Sequence, residues 1–206
     1  MKKRNSTVIY DLILAILTGF AIIAHFINSS NLVNTLSYFT ILSNLIIAIS
    51  LTIGLVASQS KIGRFFAKSS VQSALTTYII IVSLIYNFIL RSSRAQPIIE
   101  LIYDNLLHVV TPVMFLIRWI IYIPKGELRW THGLKWLSFP LAYFIYSLIR
   151  GKIVNWYPYP FVDLRKINTS ELFRNALIVL FLFFAVGQVL ILADRMVRKK
   201  RLKNKS

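Results

Sequence analysis

Six stretches of this chain, residues 8–28, 32–57, 71–90, 100–123, 130–149 and 172–195, reach the roughly 20 mostly apolar residues that a helix needs to cross a bilayer. In hydrocarbon the backbone must satisfy its own hydrogen bonds, and a single segment does so only as a helix. The expectation is therefore an all-α polytopic membrane protein, a single-domain bundle of six transmembrane helices. Residues 130–149 make the weakest of the six: this segment is short, opens on polar residues, and carries Pro140, which is expected to kink it.

Composition agrees. Of 206 residues 56% are hydrophobic and 15% charged, and the mean hydropathy is +0.64, too apolar for a surface that faces only water. The opening MKKRNST followed by an apolar run resembles a signal peptide. That run is long enough to span, however, and no small-x-small cleavage site follows it, so it is read as a retained first helix.

The net charge of +17 sits in short clusters between the apolar runs. With the N-terminus in the cytoplasm, the cytoplasmic segments hold Lys2, Lys3 and Arg4, then Lys61, Arg64 and Lys68, then Lys125 and Arg129, and finally the tail from Arg195 to Lys205. On the other side the loop at 29–31 has no Lys or Arg, the next has Arg91 and Arg94, and only the loop at 150–174 breaks the bias. This pattern predicts a multi-pass protein of the cell membrane with both termini cytoplasmic, and a basic tail that meets anionic lipid. The same placement argues against nucleic acid as a partner. With no cysteine, disulfides, thiolate nucleophiles and Cys-ligated metals are excluded. The soluble-lipase, kinase and P-loop signatures are absent, and no internal repeat of the transporter kind is present.

Ionisable residues at membrane depth must pair, face a cavity or serve function. Asp11 and Asp194 are expected to pair at the interface with Arg4, Arg195 and Arg198, and Arg118 to snorkel or to meet a helix-end carbonyl. His108 lies roughly 12 Å into the fourth segment, too deep for a surface histidine. Asp104 and Thr111 share its face at spacings of four and three, and the Asp104 carboxylate is expected to orient the imidazole. In the second segment Ser37, Thr40, Ser43 and Asn44 lie on or near one face, with Thr40 at a depth matching His108. A hydroxyl nucleophile and its base are thereby expected to meet. Tyr86 and Asn87 of the third segment approach the same level.

After the fifth segment, NWYPYPFVDL is expected to form a stiff interfacial loop. Trp156, Tyr157, Tyr159, Phe161 and Asp163 belong to it, and Tyr157, Tyr159 and Asp163 are expected to face inward as a roof. Of the three histidines, His25 and His108 fall on the outer half and His132 on the cytoplasmic side, so no metal centre is expected and no cofactor is implied. Two plainer readings stand beside catalysis: a binder or transporter of a lipid or small molecule, and a structural membrane protein in which these polar groups hold helices together.

The segments YFTILSN, LLHVVTP, RWIIYIPKG, FPLAYFIYSLIRG and NWYPYPF, in this order, resemble the bacterial Pr-six-Pr membrane protein family over nearly the whole chain. That family is similar, at a distance, to the androgen-induced and androgen-dependent transmembrane hydrolases, which cleave fatty acid esters of hydroxy fatty acids with an intramembrane threonine and histidine. The resemblance implies Thr40 as nucleophile and His108 as base. It gives Asn44, Asp104 and the YPYPF loop no role. The expected activity is lipid-ester hydrolysis near the outer leaflet, with an oxyanion donor sought among Asn44, Ser43 and Tyr86 because amides inside a helix are already bonded.

Overall fold

A computed structural model describes residues 2–91 and 97–203, with side chains for 5–91 and 97–198. Arg94, the side chains of Lys2, Lys3 and Arg4, and the basic side chains past Arg198 lie outside these. The described chain is helical, and six helices are long and apolar enough to cross a membrane: Asn5–Ile27, Phe39–Val56, Ser69–Leu90, Ile98–Tyr122, Thr131–Val154 and Thr169–Arg198. Apolar side chains such as Ile16, Ile23, Phe88, Leu177 and Phe181 cover the outside of the bundle.

The described residues form ten α-helices, of which α2 and α4 lie between spans: α1 (Lys2–Ile27), α2 (Leu32–Leu36), α3 (Phe39–Val56), α4 (Lys61–Phe66), α5 (Ser69–Ile85), α6 (Ile98–Asn105), α7 (Thr111–Tyr122), α8 (Thr131–Trp136), α9 (Ser138–Val154) and α10 (Thr169–Lys203). Two wide π-helical turns join them, Tyr86–Leu90 after α5 and Leu106–Val110 between α6 and α7. The second apolar stretch is thus not one helix over 32–57. It breaks at Ser37–Tyr38, where Tyr38 takes an extended backbone (φ −78°, ψ 133°). In the fifth, the interruption falls at Leu137 and not at Pro140. The proline sits in the first turn of α9, where a missing N–H removes no helical bond. Asn155 ends α9 in the left-handed conformation that asparagine tolerates, which turns the chain into the aromatic loop.

A polar lock joins four spans at the end of the bundle nearest the N-terminus. Arg118 makes a two-pronged ion pair with Asp11, Nε to Oδ1 at 2.6 Å and Nη2 to Oδ2 at 2.9 Å. Its Nη1 donates to Gln72 Oε1 at 2.6 Å, and Gln72 Nε2 donates onward to Ser50 Oγ and the Phe66 carbonyl. Arg118 therefore does not snorkel, and the partner of Asp11 is Arg118. Pairing is the cheaper outcome, because both side chains are about nine-tenths buried and an unpaired charge there is costly. Asp194 also differs from expectation: its carboxylate accepts the backbone N–H groups of Gly126 (2.8 Å) and Leu128 (3.0 Å), pinning the loop between the fourth and fifth spans. Gly126 is at φ +98°, a conformation a β-carbon resists.

Candidate functional site

At the opposite end of the bundle, the fourth span is built around Pro112. Lacking an N–H, it cannot bond the carbonyl of His108 four residues back, or that of Leu107 five residues back in the wider π turn. Two side-chain amides take up these carbonyls. Asn44 Nδ2 of α3 donates to Leu107 O at 3.3 Å, and Asn87 Nδ2 in the π turn after α5 donates to His108 O at 3.3 Å. Asn44 Nδ2 also donates to Thr40 O at 2.9 Å, so both its hydrogens are used and it has none for an oxyanion.

The His108 ring is held at one edge and on one face. Its Nδ1 lies 2.9 Å from the backbone carbonyl of Asp104. A carbonyl only accepts, so Nδ1 carries the hydrogen and Nε2 keeps its lone pair. Tyr86 lies flat against the imidazole, with centroids 3.6 Å apart and planes 12° from parallel, and donates its hydroxyl to the Asp104 carboxylate at 3.0 Å. The main chain of Asp104 thus orients the ring, whereas its carboxylate serves Tyr86. In place of the expected carboxylate–imidazole contact, the carbonyl of Asp104 meets Nδ1 and Tyr86 donates to the carboxylate.

Thr40 owes its place to the break in the second span. α3 begins at Phe39, so Thr40 is its second residue and its amide has no carbonyl one turn earlier to bond. The fifth span holds the break open. Tyr143 donates to Ser37 O at 2.9 Å, the carbonyl that the Ile41 amide would take in a continuous helix. Tyr146 bonds Ser37 Oγ at 2.8 Å, and Arg150 donates to Asn34 Oδ1 at 2.6 Å. Residues 143, 146 and 150 fall on one helix face, which is why a single span can clamp the whole kink.

Two cavities meet beside Thr40. A wider chamber of about 270 Å³ has a mostly apolar wall into which His25, Tyr38, Thr40, Asp104, His108 and Tyr159 bring polar groups. A narrower apolar slot runs between α5, α9 and α10, past Val82, Phe144, Val179 and Phe183. Thr40, Tyr86, Leu90 and Tyr159 line both. No hydrogen bond joins Thr40 to His108. The Thr40 amide instead donates to the Tyr159 hydroxyl at 3.4 Å.

The aromatic loop divides its labour. Tyr159 and its two flanking prolines wall the chamber, and Phe161, stacked on Tyr159 with centroids 5.2 Å apart, walls the slot. Tyr157 and Asp163 do not face either cavity. The Tyr157 ring lies on Gly151, where a β-carbon would fall 2.1 Å from it, and Asp163 accepts from the backbone and guanidinium of Arg165. That guanidinium holds the Asp163 carboxyl below the usual carboxylate range. Trp156 contacts Tyr38 edge-on and lies beneath Arg150. Among the remaining candidates, Thr111 bonds Thr18 at 3.1 Å, Ser43 is buried away from both cavities, and Ser37 belongs to the clamp. His25 also lines the chamber, a place that its position along the chain does not reveal. Tyr143 carried no signal in the sequence that set it apart from other tyrosines of an apolar helix.

The arrangement sets an imidazole held through Nδ1, a threonine hydroxyl and a helix-end amide bonded to a phenol around one chamber that shares part of its wall with an apolar slot. No protein-family model, no curated protein and no solved structure matches this chain.

Proposed function

We propose that this protein is an intramembrane lipid-ester hydrolase of the cell membrane, with both termini cytoplasmic and a threonine nucleophile near the outer leaflet. The observation that carries the reading is the position of Thr40, on the wall shared by a narrow apolar slot and the wider chamber that His25, Asp104 and His108 also line. A lipid ester has the same division: an acyl chain suits the slot, and the polar part of the leaving alcohol suits the chamber.

His108 Nε2 takes the proton of Thr40 Oγ1, through a water in the chamber or after the side chains close on substrate, as catalytic contacts often do. Oγ1 bonds to the ester carbonyl carbon, the carbon–oxygen bond to the alcohol breaks, and the leaving oxygen takes the proton from His108. Water then gives a proton to His108 and its hydroxide to the acyl carbon, the bond from that carbon to Oγ1 breaks, and Oγ1 takes the proton back from His108, which releases the acid and restores both residues. The helix-end amide of Thr40 is one donor to the oxyanion once the substrate oxygen displaces the Tyr159 hydroxyl from it.

The missing Thr40–His108 hydrogen bond favours a second reading, a lipid-binding protein without covalent chemistry. Purified protein in lipid nanodiscs, treated with a fluorophosphonate and assayed on lipid esters as wild type, Thr40→Ala and His108→Ala, separates the two. Labelling and turnover lost in both variants support hydrolysis. A wild type that neither labels nor turns over any ester leaves the binding reading.

A further inference from the structure

The loop after the fifth span brings one more hydroxyl to the reacting residue. Tyr159 Oη lies 3.4 Å from the Thr40 amide nitrogen and accepts its hydrogen, which leaves the phenol's own proton to be given elsewhere. A carbonyl oxygen placed about 2.9 Å from both atoms, the distance an oxyanion hole requires, draws the amide hydrogen off the phenol oxygen and accepts the phenol's own proton as well. The phenol is also fixed. Its ring stacks on Phe161 with planes 4° from parallel and meets Tyr38 edge-on at 5.7 Å, while Pro158 and Pro160 stiffen the chain on either side. Asn175 of the sixth span donates to Phe161 O at 3.0 Å and ties the loop to the bundle.

Resting on the hydrolase reading, we infer that Tyr159 is a catalytic residue, whose hydroxyl together with the Thr40 amide binds the carbonyl oxygen of the ester and the oxyanion formed from it. The three side chains suggested by the sequence do not serve: Asn44 has both hydrogens committed, Tyr86 donates to Asp104, and Ser43 faces neither cavity. Tyr159 lines both cavities, so the carbonyl it binds lies where the acyl chain and the alcohol part company. Burial raises its pKa, so it remains a neutral phenol and keeps its proton to donate.

The test compares wild type, Tyr159→Phe and a variant with 3,5-difluorotyrosine at 159, all in nanodiscs, on one ester substrate. Tyr159→Phe keeps the stacked ring and loses only the hydroxyl. It is expected to lower kcat by roughly 100-fold with KM changed less than about threefold, the size seen when one oxyanion donor is removed. The more acidic difluorophenol is expected to move the alkaline limb of the pH–rate profile to lower pH, which a merely structural ring would not do. A Tyr159→Phe enzyme as fast as an active wild type overturns the inference and leaves the hydrolase reading intact. A wild type inert toward every ester overturns both.

Discussion

The imidazole of His108 lies flat on the phenol of Tyr86, 3.6 Å from centroid to centroid, while its Nδ1 is held by the carbonyl of Asp104. Stack and hydrogen bond together leave the ring one orientation in the wall of the chamber.

The stack and the hydroxyl of Tyr86 are separable. Tyr86→Phe keeps the ring and loses the bond to Asp104, whereas Tyr86→Ala loses both. An aromatic pair contributes about 0.5–1.5 kcal/mol beyond burial, so Tyr86→Ala is expected to lower ester turnover up to roughly tenfold further than Tyr86→Phe. Equal kcat values for the two variants would show that the stack does not orient His108.

Asn44 is expected to be coupled to Pro112. Asn44→Ala strands the Leu107 carbonyl, at a cost of about 1–3 kcal/mol. Pro112→Ala restores an N–H for that part of the helix, so the double variant should recover part of the loss. A double-mutant cycle on unfolding midpoints in detergent measures this, and strict additivity would contradict it.

The Asp11–Arg118 pair joins the first and fourth spans. Asp11→Ala leaves a buried guanidinium without its carboxylate and is expected to destabilise by about 3–5 kcal/mol, whereas Asp11→Leu with Arg118→Met should be nearly neutral. Thermal unfolding of the three proteins decides it: a single variant no worse than the double one would remove the pair from the account.

Asp163 gives the loop an acid limit. Its carboxyl is held by Arg165 below the ordinary value of about 3.9, so its contribution is complete above about pH 4 and is lost as pH falls through the lower folded value. The signal of Trp156, taken as wild type minus Trp156→Phe, should stay constant down to about pH 4 and change below it. Arg165→Gln should move the onset to higher pH, and Asp163→Asn should abolish it. An onset unmoved by Arg165→Gln would refute the assignment.

Much of the site was legible in the residues. Thr40 and His108 stand out as polar groups deep in apolar segments, and both line one chamber. Their partners were not legible. Asp104 lies at helical spacing from His108, yet whether its carboxylate or its carbonyl reaches Nδ1 depends on the π turn. The inward set of the loop was half readable: its prolines and aromatics announce a stiff segment, but the turn of Tyr159 inward and of Tyr157 onto Gly151 depends on α9 beneath it.

The sequence by itself determined the six apolar helices, because length, hydropathy and the need to satisfy the backbone act within about 20 consecutive residues. The tertiary structure alone decided where those helices break and widen. Tyr143 holds the break at Ser37, Asn44 and Asn87 take up the carbonyls that Pro112 frees, and Arg118 finds Asp11 across 107 positions of chain. An orphaned carbonyl or charge is tolerated in an apolar interior only when a distant residue answers it, and no local pattern names that residue.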